Sequence, residues 1–138
     1  MNGLNTNRTI FIKQNSTLPE VKFSITQRLM EKYDLTDDMM ENVAVTFSMI
    51  ESSTGNFQIA NSVAKLIVLD RVFEKLDEPK YTLVYKFKLS ETKNIGRFFG
   101  EFVVDFLGDE YCGKIKFPVD DTLINIIIGD SITKTTVL

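Results

Sequence analysis

Apolar and polar residues alternate along most of this chain. In VKFSIT (21–26), Val21, Phe23 and Ile25 share one parity and Lys22, Ser24 and Thr26 the other, the period-two signature of a strand with one buried face. VAVTFSMI (43–50) sets Val43, Val45, Phe47 and Met49 on one side, and YTLVYKFKLS (81–90) aligns Tyr81, Leu83, Tyr85, Phe87 and Leu89. GRFFGEFVVDF (96–106) places Phe98, Phe102, Val104 and Phe106 on one face, with Phe99, Glu101, Val103 and Asp105 opposite. Shorter runs, TIFIK (9–13), FQIA (57–60), KIKFPV (114–119) and TLINIIIGD (122–130), also predict strands. VAKLIVLD (63–70) is apolar on both faces near its middle, which predicts a central strand or one covered by a neighbouring subunit.

Turn signals separate these runs. QNSTLPE contains Pro19, which offers no ladder donor. ESSTGN contains Gly55, free to take positive φ, so residues 43–60 are expected to form a hairpin. The glycines of GRFFGEF have neither P-loop nor dinucleotide spacing and are expected at turns and strand edges. Residues 27–42 break the alternation. QRLMEKYD is rich in helix formers, and in TDDMMEN Thr36 is a candidate N-cap with carboxylates in the first turn. One or two short helical turns are predicted there, inserted between strands.

About eight strands with turns between them predict an all-β chain of two packed sheets. The expected architecture is an immunoglobulin-like antiparallel β-sandwich with a short, partly helical insertion. The expected organisation is a flexible N-terminal arm (1–8), a β-sandwich domain (9–130) and a C-terminal arm (131–138). The apolar LINIII segment (123–128) is either an exposed strand edge that a neighbour pairs with or part of a sheet interior.

Composition narrows the chemistry. The chain has 138 residues, long enough for one domain with its own core. Its net charge of −3 argues against a nucleic-acid partner. There is no window for a membrane-spanning helix, and the N-terminus lacks the apolar core of a signal peptide. Cys112 is the single cysteine, so no internal disulfide forms, and synthesis in a reducing cytoplasm is expected. With no histidine, imidazole-based nucleophilic catalysis and imidazole metal sites are excluded. No nucleophile–base pair can be assembled, and the expectation is a non-enzymatic protein without metal or cofactor. Asp34, Thr36 and Asp38 alternate like the start of a calcium loop, but Met39 and Val45 stand where its glycine and glutamate belong. Lys86, Lys88, Lys93 and Arg97 lie near Tyr85 and Phe87, yet Lys86 and Lys88 take the parity opposite to those aromatics.

The order of motifs carries a resemblance. A strand of the form V-T-F-x-M precedes a hairpin turn at Val45, Thr46, Phe47 and Met49. A T-x-x-x-G-x-F turn follows at Thr92, Gly96 and Phe98, leading into a strand with Glu101 and Phe102. Over residues 9–128 this resembles the immunoglobulin-like N-terminal domain of phage upper baseplate proteins and related small β-sandwich virion proteins of tailed bacteriophages. The resemblance implies no enzyme and no cofactor. It implies a virion structural protein made in the host bacterial cytoplasm, a subunit of a tail, baseplate or portal-proximal neck ring. Its partners would be other virion proteins and copies of itself, with no nucleic acid and no membrane. The 27–42 insertion and the early end of the chain depart from the family pattern and favour a small stand-alone subunit. Candidate assembly contacts lie in the two arms and the insertion: Arg8, Leu29, Met30, Tyr33, Met39, Met40, Ile132, Thr133 and Val137. The alternative is a carbohydrate- or host-receptor-binding sandwich using Tyr33, Tyr81 and Tyr111 as platforms.

Overall fold

The computed structural model describes residues 9–69, 77–108, 110, 112–119 and 122–131. Strands run in the order β1 (Thr9–Lys13), β2 (Val21–Thr26), β3 (Val43–Glu51), β4 (Phe57–Val63), β5 (Lys65–Val68), β6 (Pro79–Tyr85), β7 (Gly96–Phe106), β8 (Gly113–Phe117) and β9 (Ile124–Gly129). Two short helices, α1 (Gln27–Lys32) and α2 (Asp37–Met40), separate β2 from β3. The chain is an all-β sandwich. The larger sheet has the order β1-β9-β7-β3-β4 with β8 beside β7, and the smaller has the order β2-β6-β5.

The inward stripes build the core as their parity predicts. Val21, Phe23 and Ile25 face Val45, Phe47 and Met49 across the two layers, with Leu83, Tyr85, Phe98, Phe102 and Ile126 between and around them. β7 is long enough to hold two partners end to end on one side. β9 pairs with residues 96–100 and β8 with residues 102–106, while β3 runs along its other side. LINIII therefore lies in a sheet interior, between β7 and β1.

Four expectations need correction. The sandwich is not wholly antiparallel, because β1 pairs with β9 in parallel. No tight turn joins these two strands, so nothing forces them into the opposite orientation. Residues 63–69 of the segment expected as a central strand do not form one. Val63 ends β4 in the larger sheet, Ala64 crosses, and β5 joins the smaller sheet along β6. This segment borders both sheets, and Val63 and Val68 are 84% and 63% exposed. The strand expected over 81–90 stops at Tyr85. The Glu91 carboxylate accepts from the Tyr85 hydroxyl (2.7 Å) and the Lys88 amide (2.8 Å), which folds the chain into a 3-10 turn at Leu89–Thr92. Phe87 stays buried, and Leu89 is turned out to solvent. Finally, Gly100 is no turn glycine. It sits inside β7, where a Cβ would lie 2.6 Å from the Phe47 ring.

The insertion folds by local capping. Thr26 Oγ1 accepts from the Leu29 amide and starts α1, and Thr36 Oγ1 accepts from the Met39 amide and starts α2. Asp37 and Asp38 occupy the first turn of α2, where the positive end of the helix dipole favours them. Met30, Leu35 and Met40 point inward and close that end of the core, a role to which the flexible thioethers of the two methionines are suited.

Candidate functional site

The nine candidate contacts divide three ways. Arg8, Ile132, Thr133 and Val137 lie outside the described residues. Met30 and Met40 are buried and pack into the core, so they are corrected from surface contacts to core residues; amphipathic turns over an open sandwich end must bury their apolar side. Leu29, Tyr33 and Met39 are half-buried against that same core. Leu29 and Tyr33 come together, with Phe23, Thr26, Lys32 and Val119, around a shallow groove of about 200 Å³. Met39 is not part of it.

The polar clusters hold the fold together. Asp37 accepts from the Tyr81 hydroxyl (2.6 Å) and from Lys80 Nζ (3.0 Å), tying α2 to β6. The Tyr81 hydrogen bond and then Lys80 hold the Asp37 carboxyl below its ordinary value. Burial, followed by the neighbouring Asp37, pushes the Tyr81 hydroxyl up. At the opposite end, burial pushes Tyr85 up to about 12, opposed by a hydrogen bond from Ser62 and reinforced by Glu91. Thr92 Oγ1 donates to Ser16 O (2.8 Å) and pins that turn to the β1–β2 connection.

The Asp37 pair has a pH signature. Its folded-state pKa is depressed, so its stabilisation is present above the ordinary value of 3.8 and is lost as pH falls through the lower folded value. Urea midpoints measured between about pH 5 and pH 2 should therefore fall less steeply for Asp37→Asn than for the unsubstituted chain. Asp37→Asn should already be the less stable protein at neutral pH.

These positions weaken the other chemistries considered. Among the described residues no group of three carboxylates or cysteines could hold a metal, and Asp34 and Asp38 do not converge with Asp37. Tyr85 and Phe87 are buried and unavailable for base stacking. Tyr81 is buried with its hydroxyl engaged, so it is no sugar platform; Tyr111 lies outside the described residues. Among the described residues no helix is long and apolar enough to cross a membrane. Cys112 is exposed.

The feature that sequence reasoning missed is the outer face of the larger sheet. Register places Phe57 opposite Ile50, Ile50 opposite Phe99, and Phe99 opposite Asn125. The next row holds Phe11, Ile127 and Arg97. Apolar side chains from β4, β3, β7, β9 and β1 thus form one band across the sheet, away from the core. Phe57 and Phe11 are 66% and 69% exposed. Beside Phe99 the band dips into a cavity of about 220 Å³ walled by Ile50, Phe57 and Leu123, with Ser48 and Glu101 at its polar side. Scattered exposed apolar residues need no explanation, whereas a band of them on one sheet face makes it the candidate interaction surface.

Comparison with protein-family models, with curated proteins and with solved structures finds no match.

Proposed function

We propose that this chain is a non-enzymatic structural subunit of a tailed-phage particle, placed in a tail, baseplate or neck ring and acting through protein–protein contacts. The observation that carries the contact role is the apolar band on the outer face of the larger sheet. A β-sandwich with one solvated sheet face would place polar residues there, and burying this band against a partner removes it from water. The phage assignment draws on the motif residues from Val45 to Met49 and from Thr92 to Phe102. Strand order supports its immunoglobulin-like component. The smaller sheet β2-β6-β5 corresponds to B-E-D, and β3, β7 and the β8/β9 pair correspond to C, F and G, with β4 as an added C′ strand.

The carbohydrate alternative loses Tyr81 to the core and keeps Tyr33 only as a half-buried ring with Lys32 Nζ 5.5 Å from its centre. Quantitative mass spectrometry of purified particles from the phage encoding this chain tests the assignment. The chain is expected in fixed stoichiometry with the tail or portal proteins. Its absence from particles overturns the assignment.

A further inference from the structure

Residues 97, 99 and 101 stand in line on the outer face of β7 as a cation, an aromatic and an anion. Arg97 is exposed and Glu101 half-buried, and neither takes part in an ion pair among the described residues. Four residues apart on a strand, they are separated by roughly 13 Å and do not reach each other. With the strands of the two copies aligned, as in face-to-face sheet packing, a second copy can lie on this face about either of two in-plane twofold axes. An axis along β7 would stack Arg97 on Arg97 and Glu101 on Glu101, which is repulsive. An axis crossing β7 at right angles through Phe99 reverses the strand direction. It sets Arg97 over the partner's Glu101, Phe99 over the partner's Phe99, and Ile127 over the partner's Leu123.

We infer that this face is an isologous interface between two copies of the chain, with the two sheets antiparallel about Phe99 and Arg97 of each copy seated against Glu101 of the other. The 220 Å³ cavity beside Phe99 suits that occupant. Ile50, Phe57 and Leu123 offer apolar walls to an arginine stem, and Glu101 receives the guanidinium. A twofold contact needs a self-complementary patch, and the +/aromatic/− order about Phe99 provides one. Five strands spaced about 4.8 Å apart, over some seven residues of length, bury roughly 1,000 Å² in total, the lower end for a specific interface. An interface of that size is expected to be weak and reversible. This inference rests on the contact role proposed above and names its partner.

Sedimentation equilibrium of the full chain from about 1 to 500 µM tests it. The unsubstituted chain is expected to dimerise. Arg97→Glu and Glu101→Arg, each exchanging attraction for like-charge repulsion at both symmetric sites, should each raise the Kd about tenfold or more. The double variant R97E/E101R re-creates both pairs with reversed polarity and should return the Kd close to the original. Both positions lie outside the core, so circular dichroism should be unchanged in all variants. A chain that stays monomeric throughout, single variants that dimerise undiminished, or a double variant no better than the singles would each overturn the self-pairing. None of these touches the structural role, which fails separately if the chain is missing from particles.

Discussion

Phe47→Ala is expected to destabilise the chain by about 3–5 kcal/mol, the cost of emptying a fully buried aromatic site. Phe47 has no exposed surface. It projects from β3 of the larger sheet and stacks on Tyr85 of the smaller sheet, with centroids 4.8 Å apart. Phe102 lies 5.0 Å away and Phe87 6.5 Å away, edge-on. The ring thus joins the two layers, and no neighbour can collapse into its place without dragging a strand. The loss combines apolar transfer, an unfilled cavity and the aromatic contacts. For a domain of this size the thermal midpoint should fall by about 10–15 °C. Calorimetry checks this; a shift of only a degree or two would mean that Phe47 does not bridge the sheets.

Gly100→Ala should also destabilise, by about 1–3 kcal/mol, although removing a strand glycine ordinarily gains stability. The reason is the same ring. A Cβ at residue 100 would stand 2.6 and 2.9 Å from two Phe47 ring carbons and 3.0 Å from Ile126 Cδ1. Tyr85 and Phe102 pin the ring, so it cannot swing aside. The sign should reverse when the ring is removed. In a Phe47→Ala background, Gly100→Ala is expected to be neutral or stabilising. The double-mutant cycle therefore gives a coupling well outside additivity. Additive effects would place the strain elsewhere.

Much of this fold was legible because one physical rule, parity, governs each strand separately. Val21–Phe23–Ile25 and Phe98–Phe102–Val104–Phe106 face inward as their alternation predicts. Thr36 caps a helix as its neighbours predict. The rule failed where tertiary context sets the outcome. At 63–70, apolarity on both faces signals burial in a strand that stays within one sheet, but here the chain crosses between sheets at Ala64 and leaves Val63 and Val68 at the border. Past Tyr85 the alternation continues in sequence to Leu89, yet the Glu91 carboxylate draws the backbone into a turn. Met30 and Met40 lie in a polar-looking segment, and only the open end of the sandwich explains their burial.

The outer band was visible only in pieces. Phe99, Ile50, Phe11 and Ile127 each sit at a parity position facing away from the core, where one such residue per strand is unremarkable, and Phe57, which shares its parity with buried Ile59, is turned outward beside Ile50 by a register shift in β4. Strand order and register bring them into adjacent rows, and neither can be read from any single strand. The two residues flanking Phe99, Arg97 and Glu101, gain their meaning only once that surface exists.

Hydroxyl-radical footprinting of Phe11, Phe57 and Phe99 in assembled particles, compared with the dilute isolated chain, tests the contact role of this surface most directly. Leu89, exposed on the turn after β6, serves as the internal reference. The three phenyl rings should be several-fold less reactive in the particle, with Leu89 changed far less. Rings that react equally in both states would contradict the account.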